Sequence, residues 1–413
     1  MSTRAANVAA SDASLWMVAS APLAVAALGP LLPLLIVLAR TLPPSAPQVS
    51  PPFAVVLAAI MGLVLAVSLT GLALRRLRHF PPSMWLPIGV FVGSQLVALG
   101  LAVDPLLGVF SIACTLGGVI VLIASVEALA NPRLRRIFLA CYFSTAIAAT
   151  LFAVSLSIMR LPPAMFAYEH GRASGTFLQP NEFASYLLFV IPIGLAQIAA
   201  PRWLRMLGLC AAAVGAVGLL FSVSRAAIVS LMLGLTVFVR RFGARPLAAY
   251  ALTALVAFAA MATVFRDVAH DPSENASRIA VWQSSLRLAE RFALTGVGPF
   301  GFHRAYPALK RPEVSVNEVH AHDVPLHILI EDGVLGLAGL VFFVVAATAQ
   351  AARSGATIPR NDRERVLLFA ALGAGFAASA LQNLVDVVTT FLLISAWPML
   401  GLLLSLGQQE ESA

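Results

Sequence analysis

The sequence is short of charge, and of lysine above all. Lys310 is the one lysine among 413 residues, and Asp, Glu, Lys and Arg together make up 11% of the chain, against roughly a quarter in an average soluble domain. That shortage excludes a water-soluble fold, because too few charged side chains exist to cover a water-facing surface. Cysteine is scarce too: Cys114, Cys141 and Cys210 all fall inside apolar runs, which excludes a disulfide framework and reads as three small core thiols. The first apolar run lacks a small-residue cleavage site before the next one, so it reads as a retained helix.

Apolar runs fill the space that charge leaves. The chain is 60% hydrophobic with a mean hydropathy of +0.90, and runs of about 20 residues, the length that crosses about 30 Å of hydrocarbon, recur from end to end. Twelve spans are expected, at approximately 16–39, 52–74, 84–103, 106–130, 137–159, 183–200, 206–222, 225–239, 247–265, 324–349, 365–382 and 388–406. Residues 1–413 thus read as a single all-α integral membrane domain.

The net charge of +8 is arginine arranged in short clusters between apolar runs. Membrane topology asks for that arrangement, and nucleic-acid binding does not. With the N-terminus inside, Arg4 and the clusters at 75–78, 133–136, 202–205, 240–245 and 353–365 are cytoplasmic, sixteen of 27 basic residues. Seven of the rest lie in one long loop that the positive-inside rule discounts, leaving Arg40, Arg160, Arg172 and Arg225 outside. The demanding step is 206–239, which must cross twice, turning at the only polar break, Ser222-Val223-Ser224-Arg225. Two loops then face the periplasm: a smaller one at 160–182 and a large one at 266–322.

Candidate chemistry gathers in those loops. Apolar residues at helical spacing around Trp282, Leu286 and Ala289 suggest an amphipathic helix at the membrane surface, capped by Asn275 or Ser277. Arg287 and Arg291 read as solvated, whereas Arg278 shares the Trp282 side and is turned toward the bundle. Gly296-Val297-Gly298-Pro299-Phe300-Gly301 reads as a structural turn, since no strand precedes it as a phosphate loop requires. His320-Ala321-His322-Asp323 and His327 invite a metal reading, but His322 and His327 would lie about 140° apart on a helix. Proton transfer by a histidine is the preferred reading, because its pKa sits near neutrality. Arg225 is a charge at a span end that calls for a partner or cavity, and with Arg172 it would suit a diphosphate. Asp386 is a candidate to orient a histidine or a sugar hydroxyl, with His320 as a further support. Glu331 and Asp332 receive no catalytic role; one of them is expected to pair with an arginine.

These stretches resemble the O-antigen ligase and polymerase superfamily of bacterial membrane glycosyltransferases. Gly175-Thr176-Phe177 and Gln179-Pro180-Asn181-Glu182-Phe183-Ala184 are similar to its outer-loop signature, and Ser224-Arg225-Ala226 to its serine-arginine element. Arg278 with Trp282, then Gly296-Val297-Gly298-Pro299, resembles the opening of the conserved half of its large periplasmic loop. His322, ten intervening residues and Gly333, with Glu331 and Leu335-Gly336-Leu337, resemble that loop's end. Asp323 stands where asparagine is common in the family, and Val229 where leucine often follows the arginine element. The likeness covers roughly residues 172–340.

What the resemblance implies is a GT-C-like fold in the bacterial inner membrane and a cofactor-free, metal-independent, inverting glycosyl transfer at the periplasmic face. The donor would be a polysaccharide on undecaprenyl diphosphate and the acceptor a sugar hydroxyl of lipid A-core, in lipopolysaccharide biosynthesis. His322 would take the acceptor proton, while Arg225, Arg278 and Arg172 hold the departing diphosphate. An O-antigen or exopolysaccharide polymerase and, lower, a protein O-oligosaccharyltransferase share these motifs. A lipid-linked glycan transporter is the non-enzymatic alternative, disfavoured because the halves show no internal repeat.

Overall fold

The computed structural model describes residues 3–39, 50–75, 77–160, 171–267, 272–310, 318–386 and 389–408. Every longer element among them is a helix: α1 (Thr3–Leu28, continued by a 3₁₀ stretch Gly29–Ala39), α2 (Pro51–Leu74), α3 (Trp85–Leu99), α4 (Pro105–Leu129), α5 (Pro132–Met159), α6 (Pro180–Ala196), α7 (Arg202–Ser222), α8 (Arg225–Val239), α9 (Ala244–Asp267), α10 (Pro272–Phe292), α11 (Phe302–Leu309), α12 (Val324–Thr357), α13 (Arg363–Gln382) and α14 (Thr389–Ser405). Nine helical stretches among the described residues are long and apolar enough to cross a membrane; α8 and the apolar parts of α9 and α14 are shorter. The chain is an all-helical, multi-pass membrane protein, and the twelve expected spans fall on α1 to α9 and α12 to α14.

Hydropathy misjudged some helix starts, for a common reason. The fifth span begins at Pro132 rather than 137, because Asn131 accepts from the backbone N–H groups of Arg133 and Leu134 and caps a first turn made of arginines. The seventh begins at Arg202 rather than 206. Polar first turns carry no apolar signal, yet their orphan donors must be satisfied at the bilayer edge. Likewise α10 starts at Pro272, so Asn275 and Ser277 lie inside the helix and do not cap it; their side chains lie outside the described residues. The calls on Arg40 and Arg76 lie outside them as well.

The chain reversal expected within 206–239 is present. Val223 takes a left-handed conformation at φ 52° and ends α7, and α8 starts at Arg225. Phe238, near the end of α8, packs with Ala196 at the end of α6 and with Leu367 and Ala370 near the start of α13. The chain is therefore back at the end from which α7 set out. Its return path is tight: a Cβ on Gly234 would lie 2.6 Å from the Ala374 carbonyl oxygen, the close backbone approach that small residues allow between membrane helices. At that same end the charged clusters meet. Glu127 accepts from the backbone N–H groups of His79 and Phe80, and Arg136 pairs with Glu364 at 3.3 Å.

The opposite end carries a small lobe built from α10, α11, the turn 293–301 and the first turns of α12. Its own core is Val281, Leu288, Val297, Phe302, Tyr306 and Ile330 with their neighbours. Gly333, at φ 69° and ψ −171°, breaks α12 where it leaves this lobe for the bundle. The glycine turn packs against that break: Val297 and Gly298 donate to the carbonyls of Ile330 and Glu331, and Val103 of the α3–α4 turn donates to Val297. The Glu331 carboxylate accepts from the N–H groups of Phe300 at 2.9 Å and Phe302 at 3.0 Å, and lies 3.4 Å from His327 Nε2. The expected arginine partner is thus replaced by backbone donors, which a tight turn leaves unpaired inside its curve.

Candidate functional site

Five chain segments converge beside the lobe, and buried Asp386 is at their centre. It occupies the turn after α13, where Asn383 accepts through its carbonyl from Val324 N–H and so ties this turn to the start of α12. Asp323 caps α12 by accepting from Leu326 N–H at 2.7 Å, and this cap fixes the direction in which residues 318–322 approach. As a result Asp386 Oδ1 lies 3.3 Å from His322 Nδ1. The other carboxylate oxygen accepts from Asn181 Nδ2 at 2.7 Å, on the first turn of α6. Asn181 Oδ1 in turn accepts from Arg172 at 3.3 Å, and Arg172 Nε donates to the Ser222 carbonyl at 2.9 Å. A continuous polar chain therefore runs from the α7–α8 turn through Arg172, Asn181 and Asp386 to His322.

The far side of the imidazole has its own carboxylate. His322 Nε2 lies 3.5 Å from Glu318 Oε2, and the Glu318 side chain is 23% exposed against 3% for Asp386. His322 is held at φ 54°, a left-handed conformation that a non-glycine residue adopts at a cost of about 1–2 kcal/mol. Trp282 Nε1 donates to its carbonyl at 3.3 Å. Strain maintained by surrounding bonds is a mark of a site shaped for more than packing. Arg278 lies one turn before Trp282 on α10, and its charge acts on Asp386.

Electrostatics follow from this sandwich. Burial alone would lower the pKa of His322, but the hydrogen bonds and charges of Asp386 and Glu318 outweigh it and raise it to about 9. Burial alone would raise Asp386, yet His322 holds it well below the usual carboxylate range, with help from Arg278. Glu318 is lowered by His322 in the same way against its own burial. His320, stacked edge-on against His322 at 4.2 Å between ring centres, is pushed down to about 3 by burial and by the His322 charge. The site therefore holds one charged imidazole between two carboxylates, beside a neutral one.

Donor atoms of His320, His322 and Asp386 all lie within 4.8 Å of one another, close enough to consider a cation. Two of the three are already engaged: Nδ1 of His322 faces Asp386, and Asp386 also receives the Asn181 amide. His322 and Asp386 are joined by their hydrogen bond, and His320 stands edge-on against the His322 ring.

Of the residues singled out in the sequence, Arg172, Arg278, His320, His322 and Asp386 are brought together here. Arg225 starts α8, three residues beyond the Ser222 carbonyl that Arg172 grips; it is half-buried and makes no hydrogen bond or ion pair among the described residues. Beside it, Ser224 Oγ is buried with no hydrogen-bond partner among the described residues. Sequence reasoning missed Glu318 and gave Asn181 no role of its own.

Fold and site together define a multi-pass membrane protein whose polar machinery is assembled at one end of a helix bundle from segments far apart in the chain. Residues 210–341, from within α7 to the middle of α12, match the family model described as O-antigen ligase. Over that stretch, about a third of the chain, the sequence is similar to the O-antigen ligase family. The match covers Arg225, Arg278, Glu318, His320 and His322, while Arg172, Asn181 and Asp386 lie outside it. No curated protein matches the chain.

Proposed function

We propose that this protein is an O-antigen ligase of the bacterial inner membrane, transferring a polysaccharide from undecaprenyl diphosphate to a sugar hydroxyl of lipid A-core at the periplasmic face. Transfer is inverting and needs no metal. His322, fixed from behind by Asp386, meets the acceptor hydroxyl with Nε2 as that hydroxyl attacks the anomeric carbon. Arg225, Arg278 and Arg172 receive the negative charge that develops on the departing diphosphate, fixed cations being the usual large contribution in such a reaction. His320 walls the imidazole on one face.

The observation that carries this reading is the contact of His322 with buried Asp386, at the same end of the bundle as the arginine-bearing segments. A transporter would place its polar residues along a path at the bilayer midplane, whereas here they gather where the helices end. The direct test is the lipopolysaccharide banding pattern of a deletion strain complemented with wild type, Arg225→Ala or His322→Ala, with expression checked. Core without the long ladder, accompanied by full-length lipid-linked polymer, is the expected result for the deletion and both variants. Lipid carrying a single repeat would instead mark a polymerase, and an unchanged pattern would remove lipid A-core as the acceptor.

A further inference from the structure

The mechanism so far leaves one partly buried, charged group beside His322 without a task. Glu318 stands against His322 Nε2, the ring nitrogen that Asp386 does not contact, and is the more exposed of the two carboxylates. Its 3.5 Å separation from Nε2 makes a long hydrogen bond that also fits a bridged pair. An oxygen about 2.8 Å from each of two atoms that far apart subtends roughly 80° between them, so one hydroxyl can touch both at ordinary hydrogen-bond length.

We infer that Glu318 is a further catalytic residue, and that the acceptor hydroxyl binds between His322 Nε2 and Glu318 Oε2 and gives its proton to Glu318. The inference rests on the transferase reading above and departs from the family resemblance, which gives that proton to His322. The hydroxyl O–H bond breaks with its proton passing to Oε2. The oxygen's electron pair forms the bond to the anomeric carbon, and the bond from that carbon to the donor phosphate oxygen breaks with its pair leaving on the diphosphate. His322 keeps its proton throughout and holds the hydroxyl oxygen through Nε2–H. An imidazole flanked by two carboxylates is charged near neutrality, and a charged imidazole has no lone pair to offer. Glu318 is deprotonated over the same range. The groups that set this balance are Asp386 from the α13–α14 turn, Arg278 from α10 and His320 alongside, while Tyr306 from α11 feels the Glu318 charge.

The experiment is the pH dependence of kcat for purified full-length protein in liposomes, supplied with undecaprenyl-diphosphate-linked polysaccharide and a core-sugar acceptor. Wild type should be flat between pH 6 and 8, since Glu318 is already deprotonated and His322 still charged. A tenfold climb per pH unit toward 9 would show that neutral His322 is the base and would overturn the inference without any variant. Glu318→Gln should lose about 10²- to 10⁴-fold in kcat at unchanged donor KM. Glu318→Asp, which keeps the charge, should recover part of that loss with the flat profile retained. Full turnover in a folded Glu318→Gln protein would overturn the assignment while leaving the transferase reading intact. A silent wild type with this donor and acceptor would overturn that reading and the inference with it.

Discussion

His322 and Asp386 lie 64 positions apart in the chain and 3.3 Å apart in space, the imidazole Nδ1 against a carboxylate that is almost wholly withdrawn from solvent. Asp386 thereby fixes both the orientation of the ring and the proton on Nδ1. The amide of Asn181 secures the carboxylate from the other side. Asp386→Asn should keep the shape of the site while removing the charge, and transfer should fall by roughly 10²- to 10⁴-fold with thermal unfolding little changed at alkaline pH. Activity within threefold of wild type in the liposome assay would show that the pair is merely structural.

The same pair makes stability depend on pH in a definite direction. The pKa of His322 is raised to about 9 by Asp386 and Glu318, burial notwithstanding. Its contribution is therefore complete below about 6.5, the unfolded value, and is lost as pH rises through about 9. Asp386 and Glu318 are depressed, so their contributions are present above about 4 and are lost as pH falls below it. The stability gap between wild type and Asp386→Asn should be roughly 1–3 kcal/mol near pH 6 and should close by about pH 10. Thermal unfolding in detergent at the two pH values measures it, and a constant gap would contradict the pairing.

Arg172 and Arg225 divide differently between structure and binding. Arg172 holds the Ser222 carbonyl and Asn181, so Arg172→Ala should lower both thermal stability and affinity for an undecaprenyl diphosphate probe. Arg225 makes no such bonds among the described residues, and Arg225→Ala should weaken that probe roughly 10- to 100-fold with no loss of stability. Equal melting losses for the two variants would remove the distinction.

Backbone conformation at the glycine turn offers a test independent of activity. Gly296 sits at φ 69°, and a Cβ there would meet the Glu331 carbonyl oxygen at 2.2 Å. Gly296→Ala should cost at least about 1–3 kcal/mol and speed hydrogen exchange at residues 297–302. Gly62→Ala, where a Cβ meets nothing within 4 Å, should be neutral or slightly stabilising. A neutral Gly296→Ala would mean that the lobe does not depend on that turn.

Much of this molecule could be read before its structure, and the limits have physical causes. Span positions were legible because an apolar run of fixed length is a local property, and the α7–α8 turn because Ser222-Val223-Ser224-Arg225 is the single polar break in its stretch. Helix starts such as Asn131-Pro132 were missed by hydropathy alone, since caps and arginine-rich first turns are polar. Glu331 was recognised as a feature of the loop end, but its partners are the backbone N–H groups of Phe300 and Phe302, and backbone donors leave no signature in side-chain identity. Asp386 meets Asn181 across 205 positions, and Glu318 lies in no periodic segment, next to a histidine motif that draws attention away from it. Contacts of that kind are set by how helices pack, which spacing along one helix does not encode.

The place of Asp386 in the chain has a consequence for biogenesis. Arg225, Arg278 and His322 enter the membrane system well before it, yet His322 has no inner carboxylate until α13 has been threaded and the following turn has folded back onto α6. A nascent or truncated chain that stops short of that turn holds the cationic groups without the anion that orders them. The order of synthesis thus delays the His322–Asp386 contact until the bundle is nearly closed.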